Sequence, residues 1–373
     1  MKSVDSSESR TKREAVGLTG IAQTTWAENI LFSVLVELTY RCNLDCFFCY
    51  NDVNLQGRPL SQEQYFRFFE DLADLQVLNL TLSGGEPLAH PHFFALGAKA
   101  RDLGFVVRLK SNGHALHGEL ARRLREEVDP YVVEVSLHGS TAEVHDRQTR
   151  VEGSFDRLMT NLQEMTELGL RLQLNSTLTR WNEHQIEEML AISDRLGVRM
   201  LIDPEVTPRD DGDKSPLEIL PSAEAIETLY RTLFERAASG RPAVEVRPEG
   251  DSGMAPAVTE KHCGAGSSTV AVDPYGAVYP CVQWRWSVGN LHENSIREIW
   301  RQSPKLVEVR DINKDVKTMI SGFGEQGSRM GFCPGSAWLN TGEPMEIYRS
   351  PMDKLTAHEK ARCEDRELLP VLR

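Results

Sequence analysis

From residue 30 to about residue 206 the chain alternates short apolar runs with amphipathic stretches, and this alternation restricts the fold more than any other feature. The apolar runs are ILFSVLVEL, VLNLTLSG, FVVRLKSNG, YVVEVSLHG, LRLQLNSTL and VRMLIDPEV. Between them lie SQEQYFRFFEDLADL, HFFALGAKARDLG, ELARRLREEV, SFDRLMTNLQEMTELG and HQIEEMLAISDRLG, all with helical spacing of apolar residues. Strands alternating with helices imply βαβ units and a parallel sheet. Gly104, Gly169 and Gly197 each stand directly before the next strand, where a left-handed cap ends a helix. The pattern breaks at PEVTPRDDGDKSP (204–216), a Pro-, Asp- and Gly-rich stretch that reads as a linker or lid loop. A helix follows in SAEAIETLYRTLFERAAS, then shorter elements from about residue 241.

At 373 residues the chain is long enough for two domains. The reading is an N-terminal arm over 1–29, disordered or loosely docked, an α/β unit over 30–215, a linker helix over 216–240 and a second unit over 241–373. The N-terminus lacks the apolar core of a secretory signal, and no apolar run approaches the roughly 20 residues a membrane helix needs. A cytoplasmic setting with no membrane partner is expected. A net charge of −13 argues against general nucleic-acid binding, because phosphate backbones are repelled, and leaves only a local basic groove open. Seven cysteines, an odd number, argue against a disulfide framework.

Three of those cysteines lie in RCNLDCFFCY, directly after the first strand: Cys42, Cys46 and Cys49. Thiolates at this Cys-x3-Cys-x2-Cys spacing can hold three irons of a cubane and leave the fourth open to a small chelating ligand. A zinc site using distal cysteines, or ordinary buried thiols, are the alternatives. Ser83-Gly84-Gly85-Glu86-Pro87 closes the second strand, where Gly permits close backbone approach and Glu86 offers acceptors to an ammonium group. Ser111-Asn112-Gly113 ends the third strand and Ser136-Leu137-His138-Gly139 the fourth, both polar clusters at the strand ends where barrel enzymes place their sites.

In this order the motifs resemble the radical S-adenosylmethionine (SAM) superfamily over about residues 30 to 210. The resemblance implies a partial (βα)6 TIM-like barrel carrying a [4Fe–4S] cluster on Cys42, Cys46 and Cys49. In that family the GGEP segment, Gly84, Gly85 and Glu86, binds the methionyl amine of SAM, and Phe48 packs near the adenine. Ser111, Asn112, Ser136 and Asn175 match positions that bond the ribose and the carboxylate. His138 stands where the family usually has Asp, so a ligand contact and a structural role both stay open. Arg150 matches an arginine facing the SAM carboxylate, with a solvated loop arginine as the alternative. The implied reaction is one-electron cleavage of SAM to a 5′-deoxyadenosyl radical, which abstracts a hydrogen atom from substrate.

The last third carries TVAVDPYGAVYPC, VGNLHENSIREIW and GFCPGSAWLNTGEP. This succession resembles the SPASM/twitch extension, a small α+β domain that binds auxiliary iron–sulfur clusters. A full SPASM domain has seven cysteines and usually two clusters, whereas four stand here. The expectation is therefore one auxiliary [4Fe–4S] cluster on Cys263, Cys281 and Cys333. Cys363 is a fourth ligand, a hydrogen-atom donor or a free thiol, and in the last two cases the fourth iron stays open to substrate.

Relatives with this domain pair mostly modify peptides, so the implied substrate is a ribosomally made peptide that gains a C–C or C–S crosslink or an inverted Cα. The implied partners are that peptide, a reductant such as flavodoxin or ferredoxin, and a separate leader-binding protein or groove, since only about 30 residues precede the first strand. Two alternatives stay open. One is a small-molecule substrate, a nucleotide or tetrapyrrole, marked by a basic, aromatic-lined pocket. The other is a non-catalytic iron–sulfur electron-transfer protein.

Overall fold

The computed structural model describes residues 18–239 and 260–368. It opens with a helix, α1 (Leu18–Glu28), and a strand, β1 (Ser33–Glu37). Five crossover units follow: α2 (Gln62–Asp74) to β2 (Asn79–Ser83), α3 (Phe93–Asp102) to β3 (Val106–Ser111), and α4 (Gly118–Arg123) to β4 (Val132–Ser136). Then α5 (Ala142–Thr149) and α6 (Ser154–Glu167) lead to β5 (Leu172–Thr177), and α7 (Ile186–Leu196) to β6 (Arg199–Asp203). All six expected strands are present and pair in parallel in chain order. No pairing joins β6 to β1, so the barrel is left open.

The sequence accounts for these elements locally. In α2, Tyr65, Phe68, Phe69 and Leu72 fall on one face and are buried, while Ser61 and Gln64 form a reciprocal capping box at its start. The strands alternate: on the face that the helices cover, Val34, Val36, Leu80, Leu82, Leu109, Val133, Val135 and Leu174 are fully enclosed, while the alternate positions carry Thr81, Arg108, Lys110, Glu134, Gln173 and Asn175 toward the barrel interior. Gly197 ends α7 at φ +65, a conformation that favours Gly.

After β6 comes α8 (Ala223–Ala238), capped by the Ser222 hydroxyl. The second unit continues with β7 (Thr269–Val272), β8 (Ala277–Tyr279) and β9 (Gly289–Asn290), then α9 (Ile296–Gln302), α10 (Pro304–Ser321), α11 (Pro334–Thr341) and α12 (Arg349–Leu368). β7 pairs in parallel with β1, so the nine strands make one sheet in the order β6-β5-β4-β3-β2-β1-β7-β8-β9. The two units expected from the sequence thus share a continuous sheet.

Three expectations are refined. Residues 18–28 of the arm form α1, whose Trp26 lies against Gly264 and Lys261, so packing by the second unit organises it. The helix expected as a linker is a packed element: Ile226 and Tyr230 of α8 bury against Ala357 and Ala361 of α12. Among the described residues the last third adds four helices, α9 to α12, to the strands of the expected α+β unit. Among the described residues no helix is long and apolar enough to cross a membrane.

Candidate functional site

The strand registers bring Glu37, Ser83, Ser111, Ser136, Thr177 and Asp203 to one edge of the sheet. All of these but the buried Glu37 border a cavity of about 380 Å³, within the range of small-ligand sites. Cys42, Cys46 and Cys49 lie on the loop over this edge. α5 pins the loop from one side, since the amides of Asp45 and Phe47 donate to the carbonyls of Thr149 and Gln148. The Arg209 guanidinium pins it from the other, donating to the carbonyls of Phe47 and Cys49. Burial pushes all three thiols up, and for Cys46 the charges of Cys49 and Cys42 add to it. Three such thiolates persist only around a positive centre, which fits an iron cluster. Among the described residues no three Cys, His, Asp or Glu side chains are gathered so as to hold a single metal ion.

The GGEP turn holds the segment leading into Cys42. The amides of Gly85 and Glu86 donate to the carbonyls of Thr39 and Arg41 at 2.7 and 2.8 Å. Gly84 sits at φ +138, and a Cβ there would lie 2.3 Å from the Thr39 carbonyl oxygen. The backbone that these glycines approach so closely is therefore the chain's own. Glu86 stands behind the cavity wall. Its carboxylate accepts from the Ser111 hydroxyl and from the amides of Asn112 and Leu88. Burial raises it to about 7 against the pull of those donors. The acceptors that do face the cavity here are on Asn51, two residues past the third cysteine. Asn51 Nδ2 donates to the Gly84 carbonyl, and its buried Oδ1 has no donor. The sequence reading gave the ammonium-binding role to Glu86; the acceptors open to the cavity add Asn51 Oδ1 as a candidate.

Asn112 ties the end of β3 to the cysteine loop, through Asn43 Oδ1 at 2.8 Å and Cys42 Sγ at 3.7 Å. Phe48 meets His138 edge-on, with ring centroids 4.6 Å apart. Burial and the neighbouring His145 push His138 down to about 3, so its ring is neutral. The Thr177 amide donates to Nδ1, which leaves the ring hydrogen on Nε2. Ser136 and Asn175 also border the cavity; Asn175 is held at both ends, by Glu134 and Gln173. Arg150 lies on the outer side of the loop, its guanidinium over the Phe47 ring and 3.3 Å from Asp45.

In the second unit Cys263, Cys281 and Cys333 come together although 70 residues separate the first from the last. Burial raises Cys263, and the charges of Cys281 and Cys333 raise it further. Its thiol donates to Asn313 Oδ1 of α10, and Cys333 caps α11. Cys363 falls within the span of α12, but its side chain lies outside the described residues. A feature the sequence reading missed joins the two cysteine groups. Arg285, four residues beyond Cys281, donates to both oxygens of the fully buried Glu37 at 2.9 and 2.7 Å and pairs with Asp210 at 2.8 Å. Asp210 follows Arg209 in the stretch after β6, which therefore borders the cavity.

The sequence profile of the Radical SAM superfamily matches residues 36–192, and that of the SPASM iron–sulfur cluster-binding domain matches residues 263–321. The mycofactocin maturase MftC of Mycobacterium ulcerans is 31% identical over 284 residues, covering 74% of this chain and 76% of its own. The PqqA peptide cyclase of Ruegeria pomeroyi is 31% identical over 278 residues, covering 72% and 73%. The AdoMet-dependent heme synthase of Methanosarcina barkeri is 26% identical over 341 residues, covering 84% and 95%. Among solved structures, native anSMEcpe with bound AdoMet shares the fold at a TM-score of 0.69 and 15% identity, covering 92% of this chain and all of that one. The chain belongs to the radical SAM superfamily, with a C-terminal SPASM domain, and its cofactors are SAM, a [4Fe–4S] cluster and auxiliary iron–sulfur chemistry.

Proposed function

We propose that this enzyme modifies a ribosomally made peptide by removing a hydrogen atom from one of its residues. When bound, the cluster and SAM supply the electron and the 5′-deoxyadenosyl radical for that step. Cys42, Cys46 and Cys49 would hold the cluster, with one iron left for SAM. Asn51 Oδ1 and the Gly84 carbonyl would take its ammonium group, while Phe48 and His138 wall the adenine. Asn112 holds the loop in place from behind, with Ser111 bonded to Glu86 beside it, and Ser136 and Asn175 would border the ribose. Cys263, Cys281 and Cys333 would hold one auxiliary cluster. A reductant such as flavodoxin or ferredoxin and a separate leader-binding protein belong to the same reading.

The observation that favours a peptide is the polarity of the cavity wall. Its two cations are both engaged: Lys110 with Glu134 at 2.6 Å, and Arg209 with backbone carbonyls and Asp213. Its buried acceptors without donors are Asn51 Oδ1, Gln283 Oε1 and Glu205 Oε1. Such atoms call for a ligand rich in N–H groups, since an unmatched buried acceptor is costly. A tetrapyrrole brings carboxylates of its own and would meet Glu134, Asp203 and Glu205. The second reading, a tetrapyrrole, is favoured by the match to the heme synthase over nearly that protein's whole length.

The test is turnover by the reconstituted, reduced enzyme with SAM. One arm offers short peptides encoded beside its gene, the other a propionate-bearing tetrapyrrole. The expected result is 5′-deoxyadenosine formed together with a peptide that has lost hydrogen or gained a crosslink. Decarboxylation of the tetrapyrrole with no change in any peptide would overturn the proposal.

A further inference from the structure

The β6 end of the cavity carries a charge imbalance that the cofactors do not explain. Asp203 closes β6 and borders the cavity, and its Oδ1 accepts the Glu205 amide at 2.9 Å. Glu205 borders the same cavity with a side chain only 10% exposed. Its Oε2 is taken by Lys354, a lysine of α12 that is 2% exposed, and by the Ser350 hydroxyl at 2.5 Å. Its Oε1 is buried and has no donor. Two carboxylates thus face one buried ammonium, for the nearest cavity cation, Lys110, is already paired with Glu134. Gln283, on the SPASM segment just past Cys281, adds a second buried acceptor without a donor, Oε1, to the same wall. Asp203 is exposed to the cavity while Glu205 is enclosed, and a surplus of negative charge beside buried open acceptors is stabilised by a cation that also donates hydrogen bonds.

We propose that Glu205, with Asp203 and Gln283, forms a subsite for a lysine or arginine side chain of the substrate. This rests on the peptide reading above and names the residue type that the peptide places beside β6. α12 then has a functional part: Lys354 occupies one oxygen of Glu205 and leaves the other for the substrate. Glu205 is a specificity residue, and the chemistry of SAM does not pass through it.

The test uses the reconstituted holoenzyme with SAM under anaerobic equilibrium dialysis. The probes are synthetic alanine heptapeptides whose central residue is lysine, arginine, norleucine or glutamate. Wild type is expected to retain the lysine and arginine peptides about tenfold better than the other two, the factor one charge-assisted hydrogen bond supplies. Glu205→Gln should reduce that preference to about twofold or less while SAM retention stays unchanged. Because this variant strands Lys354, the double variant Glu205→Gln/Lys354→Met is measured beside it and should behave alike. Gln283→Leu disturbs no ion pair and should weaken retention of the lysine peptide several-fold.

Absence of a preference in wild type, or a preference that survives Glu205→Gln, overturns the subsite. So does a fall in SAM retention on Glu205→Gln, which would assign the acceptor to the cofactor. If the preference holds while no peptide is chemically modified, the subsite stands and the assigned reaction falls.

Discussion

Replacing Arg285 by Met should be among the most damaging single changes in the chain. Arg285 is 7% exposed, and its partners Glu37 and Asp210 are 0% and 9% exposed. Three separate segments supply the triad: the end of β1, the stretch after β6 and the turn following Cys281. Removing the guanidinium strands two carboxylates in the interior. Breaking a buried pair in this way costs about 3–5 kcal/mol. For a chain of 373 residues the unfolding entropy near the midpoint is roughly 0.8 kcal/mol per degree, so Tm should fall by about 4–6 °C. Anaerobic thermal unfolding of the holoenzyme at pH 8 measures it.

The pH dependence supplies a control. Burial already raises Asp210 to about 7, with Arg285 opposing and Glu37 reinforcing the shift. Without Arg285 its carboxyl must rise further, so the folded state binds more protons than the unfolded one as pH falls. The penalty is then largest at pH 8 and shrinks toward pH 5. The variant in which all three members become apolar, Glu37→Met/Arg285→Met/Asp210→Leu, should recover most of the loss. A fall below about 1 °C for the single variant, with no dependence on pH, would refute the reasoning that this triad is a buried, mutually compensating set.

Gly84→Ala should displace the segment entering Cys42, because the new methyl meets the Thr39 carbonyl at 2.3 Å; SAM retention in dialysis should drop at least about tenfold, the loss expected when site geometry shifts by an ångström. Glu86→Gln places an amide NH2 among three donors, from Ser111, Asn112 and Leu88; iron retained by the first cluster should fall, since Asn112 tethers Cys42 and Asn43. His138 and His145 are buried and neutral, pushed down to about 3 and about 4. Their folded values lie below the unfolded one, so stability should drop as pH falls from about 6.5 toward 4, and His138→Phe should flatten that slope in urea unfolding at successive pH values.

The crossover units were legible because each strand and helix advertises its own period within a dozen residues. α5 and α1 were missed: the first is only eight residues long, and the second depends on packing against Gly264 and Lys261. The pairing of β7 with β1 was equally hidden, since it joins segments more than 230 residues apart. Local motifs marked the cysteine loop and the strand ends well. They did not reveal which way Glu86 points, because its partners come from β3. Nor did they mark Glu37, Asp210, Glu205, Arg285 and Lys354, single charges in unrelated segments whose meaning exists only once the chain is folded. Asn51 had a signal, its place two residues past the third cysteine.

The most direct measurement is iron and sulfide content after anaerobic reconstitution, for wild type, for Cys42/Cys46/Cys49→Ala and for Cys263/Cys281/Cys333→Ala. About eight irons are expected in wild type and about four in each triple variant, as two cubanes require. SAM cleavage should vanish in the first variant. About four irons in wild type, falling to none in the first variant and unchanged in the second, would contradict the auxiliary cluster. It would return Cys263, Cys281 and Cys333 to a packing role.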